Sequence, residues 1–253
     1  MKKYFFFDID GTLTTPLTAE YPESTKEAIR LLQKKGHFVS LATGRMQSDA
    51  WQVAETLGIH AAISDGGNAL TVDGKILFNE GLPLDSCFQL LTEINEEKHP
   101  WAVSPYNQKL RITTSSAYLH QVNDRYYETK IDPHFDFHKV SKIHKIFIAC
   151  HKEEISDIPL HGLSHVWFRQ DTMLIEPVHK EKGIQELQKH FSIPDADIIV
   201  FGDGMNDCSM FRPEWFSIAM GNGKPELKAK AKYITTRADE DGIYNACKHF
   251  GWI

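Results

Sequence analysis

The sequence predicts a mostly parallel, doubly wound α/β sheet that is interrupted by an inserted α+β module. Short continuous apolar segments, the pattern of strands buried on both faces, alternate with helix-like segments in residues 1–81 and again in residues 179–253. Residues 82–178 differ, because they are rich in histidine and aromatic residues and are punctuated by prolines. We therefore predict a core domain formed by residues 1–81 and 179–253, and a second domain formed by residues 82–178.

The first part of the chain carries both strand and helix signals. A capping-box sequence, Ser24-Thr25-Lys26-Glu27, predicts the start of the first helix, and Gly36 predicts its end. Asp73-Gly74 lies between two short apolar segments and predicts a hairpin turn. The other elements predicted here are strands Lys3–Ile9, His37–Ala42 and Ala61–Ser64 and a helix over Met46–Leu57.

The last part of the chain repeats the alternation of helix and strand, which is typical of parallel βαβ units. Its predicted elements are a helix over Gly183–Phe191, a strand over Ile198–Gly202, a helix starting in Asn206–Phe211, and strands over Phe216–Met220 and Tyr233–Thr235. The middle region is predicted as helices over 84–98, 116–129 and 152–157 and strands over 101–104, 109–113, 142–149, 165–170 and 173–177.

Composition excludes several classes of protein. The 253 residues include 28 Lys+Arg and 34 Asp+Glu, a net charge of −6, and 42% apolar residues. Predominant disorder is excluded, and the acidic balance argues against a nucleic-acid partner. No uncharged apolar run approaches the roughly 18 residues of a membrane span. The apolar run near the amino terminus ends at Asp8 and is far shorter than the apolar segment of a signal peptide, which has about 7–15 residues. The four cysteines form no CxxC pair, so we expect free thiols and a cytoplasmic protein.

The first candidate site follows the first predicted strand, in the sequence Phe7-Asp8-Ile9-Asp10-Gly11-Thr12. Ligands of open α/β sheets bind outside the carboxyl ends of the strands, where this loop lies. Two carboxylates beside a buried strand are costly unless a cation or a function holds them there. A polar turn is the alternative. A calcium loop is excluded because Gly11 is the fourth residue from Asp8 and not the sixth.

The second candidate site is Gly202-Asp203-Gly204-Met205-Asn206-Asp207, which follows the strand predicted at Ile198. A dinucleotide fingerprint would place glycine where Asp207 stands, and a carboxylate at that position would repel a pyrophosphate. The oxygen-rich loop suits a hard cation such as Mg²⁺. Taken alone, it is also compatible with an ordinary strand–helix turn.

Two smaller signals lie between these sites. Thr43 and Gly44 end the second strand and offer a hydroxyl and backbone N–H groups at a helix start, although an N-capping threonine has the same pattern. Lys182 opens the next helix, where a cation opposes the helix dipole. A solvated surface lysine is the alternative, and Lys180 competes for the same position.

These four segments, DIDGTL, LATGR, Lys182-Gly183 and GDGMND, resemble in order the four motifs of the haloacid dehalogenase (HAD) superfamily of phosphatases. The tail AMGNGKPELKAKAKYITTRADEDGI is similar to the segment after the last motif in the Cof-type branch, and the insertion resembles that branch's class IIB cap. The resemblance implies a Rossmann-like core with an inserted α+β cap domain that determines substrate specificity.

The resemblance also implies a role for each residue. Asp8 would attack phosphorus to form an aspartyl-phosphate, and Asp10 would act as general acid and base. Mg²⁺ would bind to the Asp8 carboxylate, the Asp10 backbone carbonyl and Asp203, with Asp207 as a ligand or as support for the ligands. The phosphoryl oxygens would be held by Thr43, Gly44, Lys182 and Asn206.

The expected substrate is a small phosphorylated metabolite, because a cap over the site excludes macromolecules. Sugar phosphates are favoured, with a nucleotide, flavin mononucleotide or pyridoxal phosphate as alternatives. Asp10 argues against ion pumps and dehalogenases, which lack it, and the cap type argues against a mutase. A catalytically silent phosphate-ligand-binding protein on the same fold is the alternative from another class. We expect a monomer or a weak homodimer, with no nucleic-acid or membrane partner.

Overall fold

The computed structural model describes residues 1–122, 124–153 and 158–253, with Arg169 described by its backbone alone. The chain divides into two compact units. The first comprises Met1–Phe78 and His179–Ile253, and the second comprises Asn79–Val178. Residues 80 and 81, which were predicted as part of the core, therefore belong to the second unit, and Asn79 lies at the boundary, because it also ends the last strand of the first unit's sheet. Its assignment as a specificity-determining cap stays a prediction.

The first unit contains an eight-stranded sheet in the order β14-β13-β12-β1-β2-β3-β4-β5. Neighbouring strands from β14 to β3 are parallel, and β3 pairs with β4 antiparallel. The strands are β1 Tyr4–Phe7, β2 Phe38–Ala42, β3 Ala61–Ser64, β4 Ala69–Val72, β5 Lys75–Asn79, β12 Ile198–Gly202, β13 Phe216–Ala219 and β14 Tyr233–Ile234.

Helices cover both faces of this sheet, as predicted for a doubly wound fold. Phe5 and Phe7 of β1 pack in one hydrophobic cluster, and Phe6 packs in the cluster on the opposite face. The first cluster includes residues of α1 Glu23–Lys34, α2 Gln47–Leu57 and α7 Gly242–His249, and the second includes residues of α5 Lys180–Phe191 and α6 Pro225–Lys228. The alternation explains why β1 reads as a continuous apolar run. The predicted fold class is confirmed.

The predicted capping box does not form. Pro22 occupies the N-cap position of α1, and its carbonyl accepts hydrogen bonds from the N–H groups of Thr25 and Lys26. Ser24 therefore lies inside the first turn, where its buried hydroxyl forms no hydrogen bond with any described residue. The prediction of a hairpin at Asp73-Gly74 is confirmed: both residues have positive φ, +47° and +77°, as a two-residue hairpin turn requires.

The second unit contains a six-stranded sheet in the order β10-β11-β9-β6-β7-β8. Its pairs are antiparallel except for β7 and β8, which are parallel. One face of the sheet packs against α3 through a cluster that includes Leu90, Leu91 and Ile148. The elements are α3 Leu84–Glu96, β6 Trp101–Ser104, β7 Leu110–Thr113, α4 Ala117–Gln121, β8 Glu128–Ile131, β9 Lys145–Ala149, β10 His165–Arg169 and β11 Thr172–Ile175.

The helix predicted over 116–129 is wrong beyond Gln121. The chain leaves the helix, and Glu128–Ile131 pairs with β7 as a parallel strand. The Arg111 side chain, fully buried in β7, donates a hydrogen bond to Thr129 and forms an ion pair with Asp124 at 2.8 Å. Burial of this charge requires those partners, which a continuous helix would remove. Residues 154–157 of the helix predicted over 152–157 lie outside the described residues.

Two further findings concern membrane-spanning helices and disulfide bonds. Among the described residues, every helix is too short or too polar to cross a bilayer. Cys87, Cys150, Cys208 and Cys247, which all lie in the described part of the chain, form no disulfide bond there, as the sequence predicted.

Candidate active site

Three polar loops follow adjacent parallel strands of the core sheet. Asp8 directly follows β1, Thr43 follows β2 and Asp203 follows β12. Strand β1 lies between β12 and β2, so the chain connections diverge on its two sides. Such a switch point opens a crevice at the carboxyl ends of the strands, which is where open α/β sheets bind ligands.

Three carboxylates converge there. Oxygens of Asp8, Asp203 and Asp207 lie within 4.8 Å of one another. Lys180 Nζ donates to Asp8 Oδ1 at 2.7 Å and to Asp207 Oδ1 at 2.6 Å. The second oxygen of Asp207 accepts hydrogen bonds from the backbone N–H groups of Asp203 and Gly204, both at 2.9 Å. Asp207 thus fixes the lysine on one side and the loop that carries Asp203 on the other.

Burial and mutual repulsion determine the protonation of this cluster. Burial, together with the negative charge of Asp207, raises the pKa of Asp8 well above its ordinary value. The same two causes raise the pKa of Asp203 to about 7. Burial acts to lower the pKa of Lys180, but the charges of Asp207 and Asp8 outweigh it, so the net change is upward and the ammonium stays charged. Burial and the mutual repulsion of three carboxylates around one lysine therefore favour the protonated forms of Asp8 and Asp203.

Lys180, and not the predicted Lys182, is the lysine of the site. Helix α5 begins at Lys180 and buries Lys180, Gly183, Ile184 and Leu187 on one face, whereas the Lys182 side chain is exposed. At about 100° per residue, Lys182 lies about 200° around the helix from Lys180. The helix start is held by the loop after β3, because the His179 N–H donates to the carbonyl of Gly66 at 2.9 Å.

Thr43 is buried at the end of β2. Its N–H donates to the carbonyl of Ile63 in β3, and its carbonyl accepts from the N–H of Gly66. Its hydroxyl oxygen accepts from the N–H of Arg45 at 3.1 Å, which leaves the hydroxyl proton free to be donated. Gly44 lies between these two residues, at the same strand end.

Asp10, unlike the three clustered carboxylates, has an exposed side chain. Its carboxylate is 59% exposed and binds the Arg45 guanidinium through both oxygens, at 2.9 Å and 2.6 Å. Arg45 also contacts the buried carboxylate of Asp49 at 3.5 Å. Arg45 thus joins an exposed carboxylate on one loop to a buried one in α2. Arg45, the last residue of the segment LATGR, therefore forms ion pairs within the core unit.

Gly11, in the loop after β1, lies close to the Asp203 carboxylate. Its φ is +83°, and a Cβ added there would lie 2.4 Å from Asp203 Oδ2. The next residue, Thr12, is fully buried and donates its hydroxyl to Asp203 Oδ1 at 3.3 Å. Glycine at position 11 is therefore needed both for the left-handed backbone and for the space that the Asp203 carboxylate occupies.

The family model for haloacid dehalogenase-like hydrolases matches residues 5–247. The chain belongs to this family. A protein of Bacillus subtilis (strain 168) named "Putative phosphatase YkrA" is 32% identical to this hydrolase, with 99% of the chain and 98% of the relative covered. The 5-amino-6-(5-phospho-D-ribitylamino)uracil phosphatase YbjI of Escherichia coli (strain K12) is 26% identical, with 95% and 93% covered. The solved structure of the HAD subclass IIB sugar phosphatase BT4131 superposes with a TM-score of 0.81 at 26% identity, with both chains covered completely.

The resemblance to the HAD superfamily and its Cof-type class IIB branch is thereby confirmed, as is the prediction of a hydrolase. The four motifs are in place in this HAD hydrolase, although the third is carried by Lys180. Asn206 is half-buried in the short helical turn Met205–Met210, which follows β12 and also carries Asp207.

One residue of the site, Asn222, was not predicted from the sequence. Asn222 donates from Nδ2 to the carbonyl of Gly11 at 2.8 Å and to Asp203 Oδ2 at 3.4 Å. The signal was present, since Asn222 belongs to the tail segment AMGNG that supported the resemblance. Spacing alone does not show that this asparagine returns to a loop 211 residues earlier in the chain.

Proposed function

We propose that this HAD hydrolase is a Mg²⁺-dependent phosphomonoesterase that cleaves small phosphorylated metabolites through an aspartyl-phosphate on Asp8. The observation that carries the proposal is the position of Asp8, a buried carboxylate at the carboxyl end of β1 that is paired with Lys180 and faces two further carboxylates. A carboxylate held in this way, next to a fixed cation, is suited to nucleophilic attack on phosphorus.

The residues present fit a hard divalent cation. Lys180 pairs with Asp8 and Asp207, while Asp203 accepts hydrogen bonds from Thr12 and Asn222, so three carboxylates share the charge of one lysine. Oxygen donors with excess negative charge are what Mg²⁺ prefers. Asp8, the Asp10 carbonyl and Asp203 would hold the ion, with Asp207 as a ligand or as support for the ligands. When bound, the ion would neutralise charge on the transferring phosphoryl group.

In the first step, an Asp8 oxygen forms a bond to phosphorus while the bond from phosphorus to the leaving oxygen breaks. Asp10 first takes up a proton from solvent, which its exposure permits, and then donates that proton to the leaving oxygen, which departs as an alcohol. In the second step, Asp10 accepts a proton from a water molecule, whose oxygen attacks phosphorus and releases Asp8 and inorganic phosphate. The exposure of Asp10 supports this role, because a proton-transfer group must reach both the leaving group and water.

Charge on the phosphoryl oxygens would be stabilised by four hydrogen-bond donors. These are the Thr43 hydroxyl, the Gly44 N–H, the Lys180 ammonium in place of Lys182, and the Asn206 amide. Lys180 is the strongest of them, because its charge is buried and its position is determined by two carboxylates.

Sugar phosphates remain the favoured substrates, and the likeness to the sugar phosphatase BT4131 supports them. The likeness to YbjI adds a phosphorylated ribityl compound to the other candidates, which are a nucleotide, flavin mononucleotide and pyridoxal phosphate. We also propose that the second unit selects the substrate. A cytoplasmic location and a monomer or weak homodimer complete the proposal.

The deciding experiment measures phosphate release from a panel of phosphorylated metabolites and an aryl phosphate, with Mg²⁺ and with chelator. Asp8→Asn is the test variant, and Asp85→Asn, an exposed aspartate near the start of α3, is the matched control. We expect metal-dependent release that Asp8→Asn abolishes and Asp85→Asn retains. Folded protein that binds phosphorylated ligands without turnover would favour the silent binding protein, and full activity of Asp8→Asn would remove Asp8 as the nucleophile.

A further inference from the structure

Asn222 connects three separate segments of the core unit. It lies between β13 and α6, and its amide nitrogen donates to the Gly11 carbonyl and to Asp203 Oδ2. Its amide oxygen accepts from the N–H of Ala238 at 2.9 Å. A side chain that donates to two segments and accepts from a third determines their relative positions, because all its hydrogen bonds need the same rotamer.

We infer that Asn222 is a positioning residue for the metal site, which holds the Asp203 carboxylate in the orientation that binds Mg²⁺. The inference rests on the Mg²⁺ dependence proposed above. Residues that hold metal ligands by hydrogen bonds typically change metal affinity about 10- to 100-fold when they are removed.

Asp203 is held from two sides and at its backbone. Thr12 donates to Oδ1 and Asn222 donates to Oδ2, while the N–H of Lys224, two residues after Asn222, donates to the Asp203 carbonyl at 2.9 Å. The segment around Asn222 therefore contacts Asp203 through main chain and side chain together. The longest of these contacts is the one from Asn222 to Oδ2, at 3.4 Å.

The same amide holds the other side of the site. Its short hydrogen bond to the Gly11 carbonyl fixes the residue at which the loop after β1 approaches Asp203. Asp10 directly precedes Gly11, and its carbonyl oxygen is one of the proposed Mg²⁺ ligands. Loss of the Asn222 amide would release both loops at once, so its effect on metal affinity should exceed that of losing the Thr12 hydroxyl alone.

The test is calorimetric titration of Mg²⁺ into wild type, Asn222→Ala, Thr12→Val and Asn245→Ala. Asn245 is the matched control, because its exposed amide also donates two hydrogen bonds, to Thr236 and Glu240, and none of its partners is Gly11 or Asp203. We expect about 10-fold weaker binding for Asn222→Ala, a smaller loss for Thr12→Val and wild-type affinity for Asn245→Ala. Saturating Mg²⁺ should restore most of the phosphatase activity of Asn222→Ala.

Each outcome is informative. Equal affinity of wild type and folded Asn222→Ala would overturn the inference and leave the proposed function intact. A wild type that binds no Mg²⁺ would overturn both. Denaturant unfolding with chelator present checks folding, and Asn222→Ser, which leaves room for water at the Ala238 N–H, replaces Asn222→Ala if that variant does not fold.

Discussion

Arg45 binds both carboxylate oxygens of Asp10, with Nε–Oδ2 and Nη2–Oδ1 distances of 2.9 Å and 2.6 Å. The guanidinium is largely buried and also contacts Asp49 in α2, so it is anchored to the scaffold. Two parallel charge-assisted hydrogen bonds fix the carboxylate plane as well as its distance. The exposed side chain of Asp10 is therefore not free to rotate, although it faces solvent.

We expect Arg45→Ala to lower kcat about 10- to 100-fold, because a general acid and base that loses its orientation loses rate. Arg45→Lys should recover only part of this loss, since an ammonium group cannot donate two parallel hydrogen bonds to one carboxylate as a guanidinium does. The measurement is kcat and KM on the best substrate of the panel. Arg30→Ala is the control, because Arg30 forms an equally bidentate pair with Glu27 on the exposed face of α1. Equal kcat in the two alanine variants would contradict the prediction.

The two lysines at the start of α5 offer a direct comparison. Lys180→Met should lower kcat by more than about 100-fold, because the buried cation beside Asp8 is lost. It should also lower the free energy of unfolding by about 3–5 kcal/mol without metal, since Asp8 and Asp207 are left buried and unpaired. Lys182→Met, which removes an exposed lysine two residues later, should change neither quantity. Steady-state kinetics and urea unfolding in chelator would show the difference, and a larger loss in Lys182→Met would restore the original prediction.

Gly11 and Gly36 have nearly identical φ angles, +83° and +82°, but different surroundings. A Cβ at Gly36 would meet nothing within 4 Å, whereas one at Gly11 would overlap the Asp203 carboxylate. Both alanine variants should lose about 1 kcal/mol to left-handed strain, and Gly11→Ala a further 1–3 kcal/mol or so from overlap. Gly11→Ala alone should weaken Mg²⁺ binding. Chemical unfolding and calorimetric titration test this, and indistinguishable variants would refute it.

The pKa of Asp203 predicts a pH dependence of stability in the metal-free protein. Burial and the charge of Asp207 raise the pKa of Asp203 to about 7, against about 3.9 in an unfolded chain. The folded state binds this proton more tightly, so the contribution to stability is complete below about pH 3.9 and is lost as the pH rises through about 7. We expect the thermal midpoint in chelator to fall between about pH 5 and pH 8, and less so in Asp203→Asn.

Mg²⁺ should reverse this trend, because it binds the ionised carboxylate and stabilises the folded state by mass action. Its effect on the midpoint should therefore be larger at about pH 8 than at about pH 5. Scanning calorimetry of wild type and Asp203→Asn, each with Mg²⁺ and with chelator, measures both effects. The same slope with pH in the two proteins would show that other groups cause it.

Much of the core could be predicted from the sequence, because its signals are local. A strand buried on both faces must be apolar throughout, as Tyr4–Phe7 and Ile198–Gly202 are, and polar residues after such strands must lie at one edge of a parallel sheet. Asp8, Asp203 and Asp207 were predicted together on this ground, and the structure brings them together. The helical spacing of Lys180, Gly183, Ile184 and Leu187 indicates that Lys180 is on the buried face of α5, although the argument from the helix dipole favoured Lys182.

Other features depended on contacts between distant residues. The strand Glu128–Ile131 replaces a predicted helix because β7 supplies its backbone partners, with Arg111 bound to Thr129 and Asp124. Asn222 joins the site because folding brings its amide to Gly11 and Asp203. The sequence by itself determined which residues must be buried, which form turns and at which edge of the sheet the carboxylates lie. These features follow from side-chain chemistry and from the spacing of apolar residues along the chain. Only the tertiary structure decided which side chains meet, because a hydrogen bond or an ion pair requires two partners whose distance along the chain places no limit on their distance in space.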